Sequence, residues 1–162
     1  MYNYEMISSQ NKNDFYHQLN THLKALTGDD NDLIAVLANA SALLYMHLPD
    51  INWAGFYLYK NGELVLGPFQ GKPACVRIPL GKGVCGTAAL TRKIQLVNDV
   101  NLFPGHIACD SSSQSEIVLP IIRLNRLFGV LDIDSPVKSR FDNEDAEGLS
   151  QFIEILNMRI NP

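Results

Sequence analysis

The sequence predicts an α+β fold, one antiparallel sheet of about six strands flanked by helices from the two ends of the chain. Three observations carry that expectation. Apolar residues recur at helical spacing near both termini, the segment from 51 to 69 switches to alternation, and turn signals punctuate the middle of the chain at short intervals. A chain of 162 residues is most simply one domain spanning 1–162, large enough to bury about two thirds of its unfolded surface without metal or disulfide help.

The elements follow in order. Phe15, Leu19, Leu23 and Leu26 form one helical stripe that stops at Gly28, a glycine suited to a helix C-terminus. Asp29 and Asp30 are expected to cap a second helix, whose stripe is Leu33, Leu37, Ala40 and Leu44 and whose stop is Pro49. INWAGFYLYK and ELVLGPF alternate on either side of Asn61-Gly62, a two-residue hairpin signal, so they read as paired strands. Short strands are expected near 75–79 and 94–98, with GKGVCGTAALTRK between them as a Gly-rich turn opening a short helix. Residues 115–123 and 127–134 form a second hairpin through Leu124, Asn125 and Arg126. The last helix carries Leu149, Phe152, Ile153, Leu156 and Ile160 behind an acidic first turn from Asp142 to Asp145, which complements the helix dipole.

Charge and composition exclude several classes of function. The net charge is −4 and Lys and Arg are scattered, so no electrostatic footprint for nucleic acid or an anionic membrane exists. The N-terminal stretch has neither a basic nor an apolar signal region, and no apolar run reaches membrane-spanning length. A cytoplasmic protein with no nucleic-acid or membrane partner is expected. Three cysteines in a reducing compartment leave packing, metal binding or redox chemistry as their uses.

Strand period picks out a constellation. Phe128, Val130, Asp132 and Asp134 fall on one face of their strand, with Gly129, Leu131 and Ile133 on the other. Two like charges on one face oppose each other unless a cation, a shared proton or bulk water relieves them; a solvent-facing strand end is the alternative. Trp53, Gly55 and Tyr57 share a face in the same way and would wall a pocket or simply pack in the core. Glu116 opens the strand after the Cys109 loop, either as a third acid of this site or as an ordinary surface residue.

Cys109 stands in a loop, followed by Asp110 and three serines, a composition that favours exposure and hence oxidation. Cys85 begins a short helix, where the dipole would activate its thiol, although Val84, Gly86 and Ala88 equally suit a small buried residue. Cys75 follows a Gly-Lys-Pro-Ala turn. Zinc held by the three thiols and His106 is not expected, because the spacings of 10, 21 and 3 residues match no common site and there is no CxxC knuckle. GKGVCG also lacks the glycine spacing and Lys-Ser/Thr pair of a phosphate-cradling loop.

Taken together, GxFQGKPACxRIxxGxGVCGTAA, VxDVxxFPGHIACDSxSxSEIVxPI, GVLDIDSP and FDxED resemble the free methionine-(R)-sulfoxide reductases, a family built on a GAF-type domain. The likeness covers about residues 50 to 145 and includes all three cysteines. It implies a thiol-dependent oxidoreductase for free methionine-(R)-sulfoxide with no cofactor and no metal, recycled by thioredoxin and possible as a homodimer. It further implies Cys109 as nucleophile, Cys75 as resolving thiol and Cys85 as an accessory able to form an alternative disulfide. Glu116, Asp132 and Asp134 would make the substrate site, with Trp53 and Tyr57 against the thioether methyl. Two other readings compete: a small-molecule-sensing GAF module, and a thiol switch without substrate, which would leave the facing acids and aromatics unused.

Overall fold

The computed structural model describes residues 5–107 and 109–160; residues 1–4, 108 and 161–162 of the expected single domain lie outside the described residues. Two helices lead, α1 (Lys12–Thr27) and α2 (Leu33–His47). Strands β1 (Trp53–Lys60), β2 (Glu63–Gly71) and β3 (Arg77–Pro79) follow, then α3 (Gly83–Thr91), β4 (Gln95–Val97) and a 3-10 turn at Val100–Leu102. Strands β5 (Ser115–Arg123) and β6 (Arg126–Ser135) precede α4 (Asn143–Arg159).

Local chemistry sets the ends of these elements. α1 stops at Gly28, whose φ of 51° places it in the left-handed region. α2 is capped by Asp32 rather than by Asp29 or Asp30. The Asp32 carboxylate accepts the Ala35 backbone N–H at 2.9 Å, while Asp30 accepts from the Asp32 backbone N–H at 2.9 Å. All three acids are good caps by type, and position relative to the first helical residue decides among them. Asn61 and Gly62 have φ of 52° and 92°, the two positive values a twisted two-residue hairpin needs. Leu124 and Asn125 repeat that geometry at 47° and 61°, so Arg126 is not in the loop but pairs with Arg123 at the start of β6. At α4 the acidic turn is a capping box, Asp142 and Asp145 each accepting the other's backbone N–H.

The strands run in the order β3-β2-β1-β6-β5-β4 and pair antiparallel throughout. One face carries Ala54, Phe56, Leu58, Ile117, Leu131 and Ile133, packed with residues of α1, α2 and α4 in the main core. Full burial of each large side chain contributes roughly 1.5–3 kcal/mol, so this layer anchors the sheet. α2 lies on β1 and β2, α4 on β5, and α1 packs against α2 and α4. The opposite face carries a smaller cluster including Trp53, Tyr57, Val118 and Val130, covered by Val84, Cys85 and Ala88 of α3. One sequence expectation fails here. Ile121 pairs with Gly129 and Ile122 with Leu127, leaving Phe128 as an extra residue in β6. This bulge turns Phe128 to the main core and Leu127 to the α3 side, so Phe128 does not share the face of Val130, Asp132 and Asp134.

Candidate active site

Register assembles the site. Across β1 and β6, Trp53 pairs with Asp134, Gly55 with Asp132 and Tyr57 with Val130. Across β5 and β6, Glu116 pairs with Asp134 and Val118 with Asp132. Directly paired residues and those two apart share a face, so three adjacent strands bring three carboxylates and two aromatics together on the α3 side of the sheet. Cys85 comes down on them from the first turn of α3, its thiol directed at Glu116 Oε1 at 3.9 Å. Trp53, Tyr57, Cys85, Glu116, Asp132 and Asp134 line one cavity of about 40 Å³, and Cys109 closes its mouth. Gly55 makes room for the aromatic wall. A Cβ there would collide with the Phe69 backbone and the Trp53 ring, which stacks on Phe69 at a centroid distance of 5.2 Å and on Tyr57 at 5.9 Å.

These acids are not on a solvent-facing strand end. Glu116 is 5% exposed and Asp132 6%. Burial first, and the neighbouring carboxylates second, push Glu116, Asp132 and Asp134 well above the ordinary carboxylate range. The same two causes raise Cys85, the opposite direction to the activation that a helix N-terminus favours. Burial likewise raises the Tyr57 hydroxyl, which donates to the Cys75 carbonyl at 3.0 Å. His106 Nε2 stands 3.7 Å from Glu116 Oε2. Burial lowers the His106 pKa and, with the Asp134 carboxylate, raises that of Glu116, so both shifts weaken this contact as an ion pair.

The loop of Cys109 is organised rather than loose. Asp110 accepts the Ser112 backbone N–H at 2.9 Å, the Asn52 amide at 3.2 Å and the Lys72 ammonium at 3.3 Å. These donors, the Ser112 backbone first, hold its carboxyl well below the usual range. Lys72 thereby ties the Cys109 loop to the segment before Cys75. Cys75 and Cys109 form a disulfide with Cα atoms 5.9 Å apart, the pairing implied by the resemblance, while Cys85 stays a buried free thiol.

Residues 25–160 match the GAF domain family. Protein YtsP of Bacillus subtilis is 59% identical over 158 residues, covering 96% of each chain. The free methionine-R-sulfoxide reductase of Escherichia coli is 57% identical over 143 residues, covering 88% of this chain and 87% of the relative. This chain belongs to the free methionine-(R)-sulfoxide reductase family. The free methionine-R-sulfoxide reductase of Neisseria meningitidis, solved in complex with its substrate, superposes with a TM-score of 0.93 at 41% identity over 98% of this chain and 95% of that one.

In this member of the free methionine-(R)-sulfoxide reductases, the residues expected from sequence cluster at the cavity. The structure brings all eight expected residues into one neighbourhood, seven lining the cavity and Cys75 bonded to Cys109 at its mouth. It also places Lys72, Lys82, His106, Asp110 and Ser113 on the lining. The sequence marks His106 only as a poor zinc ligand and Asp110 and Ser113 only as loop residues, and it does not single out Lys72 or Lys82. Asp110 had a legible signal, since Asp followed by serines favours a turn in which the carboxylate accepts a backbone N–H two residues on.

Proposed function

We propose that this chain reduces free methionine-(R)-sulfoxide to methionine. The observation that carries the reading is the Cys75–Cys109 disulfide at the mouth of a cavity walled by an aromatic pair and lined by three acids, two of them buried. In the reduced state the Cys109 thiolate attacks the sulfoxide sulfur. A carboxylic acid of the lining gives its proton to the sulfoxide oxygen, methionine leaves, and the oxygen remains on Cys109 as a sulfenic acid. The Cys75 thiol then attacks Cys109 Sγ, water departs and the disulfide forms. Thioredoxin or an equivalent dithiol returns both thiols and is itself oxidised.

The lining suits both tasks such a substrate sets. Burial pushes these carboxyls upward, toward the protonated form a donor needs. A buried acid that is costly to ionise alone becomes a good partner for an ammonium, which a free amino acid carries and a peptide residue lacks. Glu116 is the proposed donor, since β5 follows the Cys109 loop directly, with Asp132 and Asp134 taking the ammonium. Trp53 and Tyr57 would face the thioether methyl. The first turn of α3, where Lys82 provides no side-chain cap, leaves backbone donors beside Gly83 and Val84 for the substrate carboxylate. Negative charge beside the nucleophile opposes its ionisation, and Lys72 and Lys82 on the lining offset it.

Following NADPH consumption with thioredoxin and its reductase tests the reading. Turnover of the free R epimer is expected, with little or none for the free S epimer or for peptide-bound methionine sulfoxide. Equal rates on free and peptide-bound substrate would overturn it, as would tight binding of the free R epimer without reduction.

A further inference from the structure

We propose that Cys85, Glu116 and Asp132 form an inhibitory site for a thiophilic divalent cation of the zinc type. The set differs from the three-thiol set that sequence spacing rejects: it joins one turn of α3 to two neighbouring strands. Among the described residues, these three side chains are a group of metal-ligating types whose ligand atoms all lie within 4.8 Å of one another, and all three are buried.

A second observation points to a missing partner. Asp132 Oδ1 is buried and has no hydrogen bond, on a residue that is 6% exposed and lines the cavity. An orphaned oxygen in that setting costs stability unless something meets it. A metal ion meets it directly. Zinc to sulfur and oxygen distances of about 2.0–2.3 Å set tetrahedral ligand atoms roughly 3.3–3.8 Å apart. Cys85 Sγ and Glu116 Oε1 already stand at 3.9 Å, so small side-chain rotations close the site. The cavity of about 40 Å³ accommodates an ion with a bound water. His106 Nε2, 3.7 Å from Glu116 Oε2, is within reach as a fourth ligand. One sulfur with carboxylates and an imidazole favours zinc, or cobalt as its spectroscopic stand-in, over magnesium or calcium, which take oxygen ligands. On binding, the sulfur–metal bond forms and the thiol proton passes to solvent. The ion then covers Asp132, proposed above for the substrate ammonium, so the two compete. The site itself stands on the cluster geometry and does not depend on that catalytic reading.

The oxidised protein isolates the test. Of the chain's three cysteines, two are in the disulfide and Cys85 is the one free thiol, so sulfur-to-cobalt charge-transfer absorption must arise from it. Titrating the oxidised protein with Co2+ is expected to give that band at one equivalent, with Zn2+ displacing it. Cys85→Ser should abolish the band. Asp132→Asn, which retains the thiol, should weaken Co2+ binding at least about tenfold. No band, a band that survives Cys85→Ser, or undiminished affinity in Asp132→Asn would each overturn the proposal. In the reduced protein, micromolar Zn2+ should raise the apparent KM for methionine sulfoxide and leave the extrapolated maximal rate unchanged. If metal binding fails while metal-free protein reduces methionine sulfoxide, this inference falls and the proposed function stands.

Discussion

On the proposed mechanism the two disulfide cysteines have different roles, and substitution separates them. Cys109→Ser should abolish even a single turnover, because Cys109 is the proposed nucleophile and lines the cavity, which Cys75 does not. Cys75→Ser should release about one methionine per active site and then stall, since the sulfenic acid forms without a partner. Rapid-quench product counting distinguishes the two, and a fully active Cys109→Ser protein would remove the assignment. Asp132 exposes the opposition between stability and chemistry at one side chain. A carboxyl whose pKa is higher in the folded state leaves folding unpenalised below the unfolded value of about 4 and penalised as pH rises above it. Asp132→Asn should therefore stabilise the protein at pH 7 by on the order of 1 kcal/mol, and the gain should shrink as pH falls toward about 4. Denaturant unfolding of both proteins across that range checks the sign. The same substitution should raise the KM for methionine sulfoxide, since a charge-assisted hydrogen bond worth about 1.5–3 kcal/mol is lost.

Strands β1, β5 and β6 turn sequence alternation into a site, and the aromatic wall depends on one small residue among them. Gly55→Ala places a methyl against the Phe69 backbone and the Trp53 ring. Neither yields easily, because Trp53 Nε1 also donates to the Lys72 carbonyl at 3.1 Å. Overpacking of this kind costs about 1–3 kcal/mol, and kcat/KM should fall further than stability as the ring moves. Circular dichroism melting beside steady-state kinetics reads both. Much of this element-level detail was legible in the sequence, since period-two alternation fixes which residues share a face once strands are paired. The cross-strand register that faces Glu116 with Asp134 was not, because no local signal says which strands neighbour each other in a six-stranded order. Phe128 shows the same limit. A one-residue bulge reverses a face without leaving a mark in the local composition. Burial of Glu116 was hidden for a similar reason: its cover includes Cys85 of α3, 31 residues away in sequence.

At the scale of the molecule, the helix layer packs one face of the sheet while the opposite face carries the cavity with the disulfide beside it. Cys75 precedes β3 and Cys109 precedes β5. Joining them draws the two segments together, and Lys72 with Asp110 reinforces the clasp. The enclosed space is about 40 Å³, room for a water or an ion and far below the 300–1,000 Å³ of ordinary ligand pockets. A cavity of that volume does not hold an amino acid the size of methionine sulfoxide, so binding is expected to require the clasp to open. Substrate should thus bind the reduced protein and be excluded from the oxidised one, which orders the cycle: methionine must leave before or as the disulfide closes, and reductant must act before the next substrate enters. Isothermal titration with free methionine-(R)-sulfoxide would compare the disulfide form with reduced Cys109→Ser, which keeps the open cavity and cannot turn over. Affinity for the disulfide form is expected to be at least about tenfold weaker, a difference of about 1.4 kcal/mol or more. Equal affinities would mean that the loop yields to substrate with the disulfide intact, and that redox state does not gate the cavity.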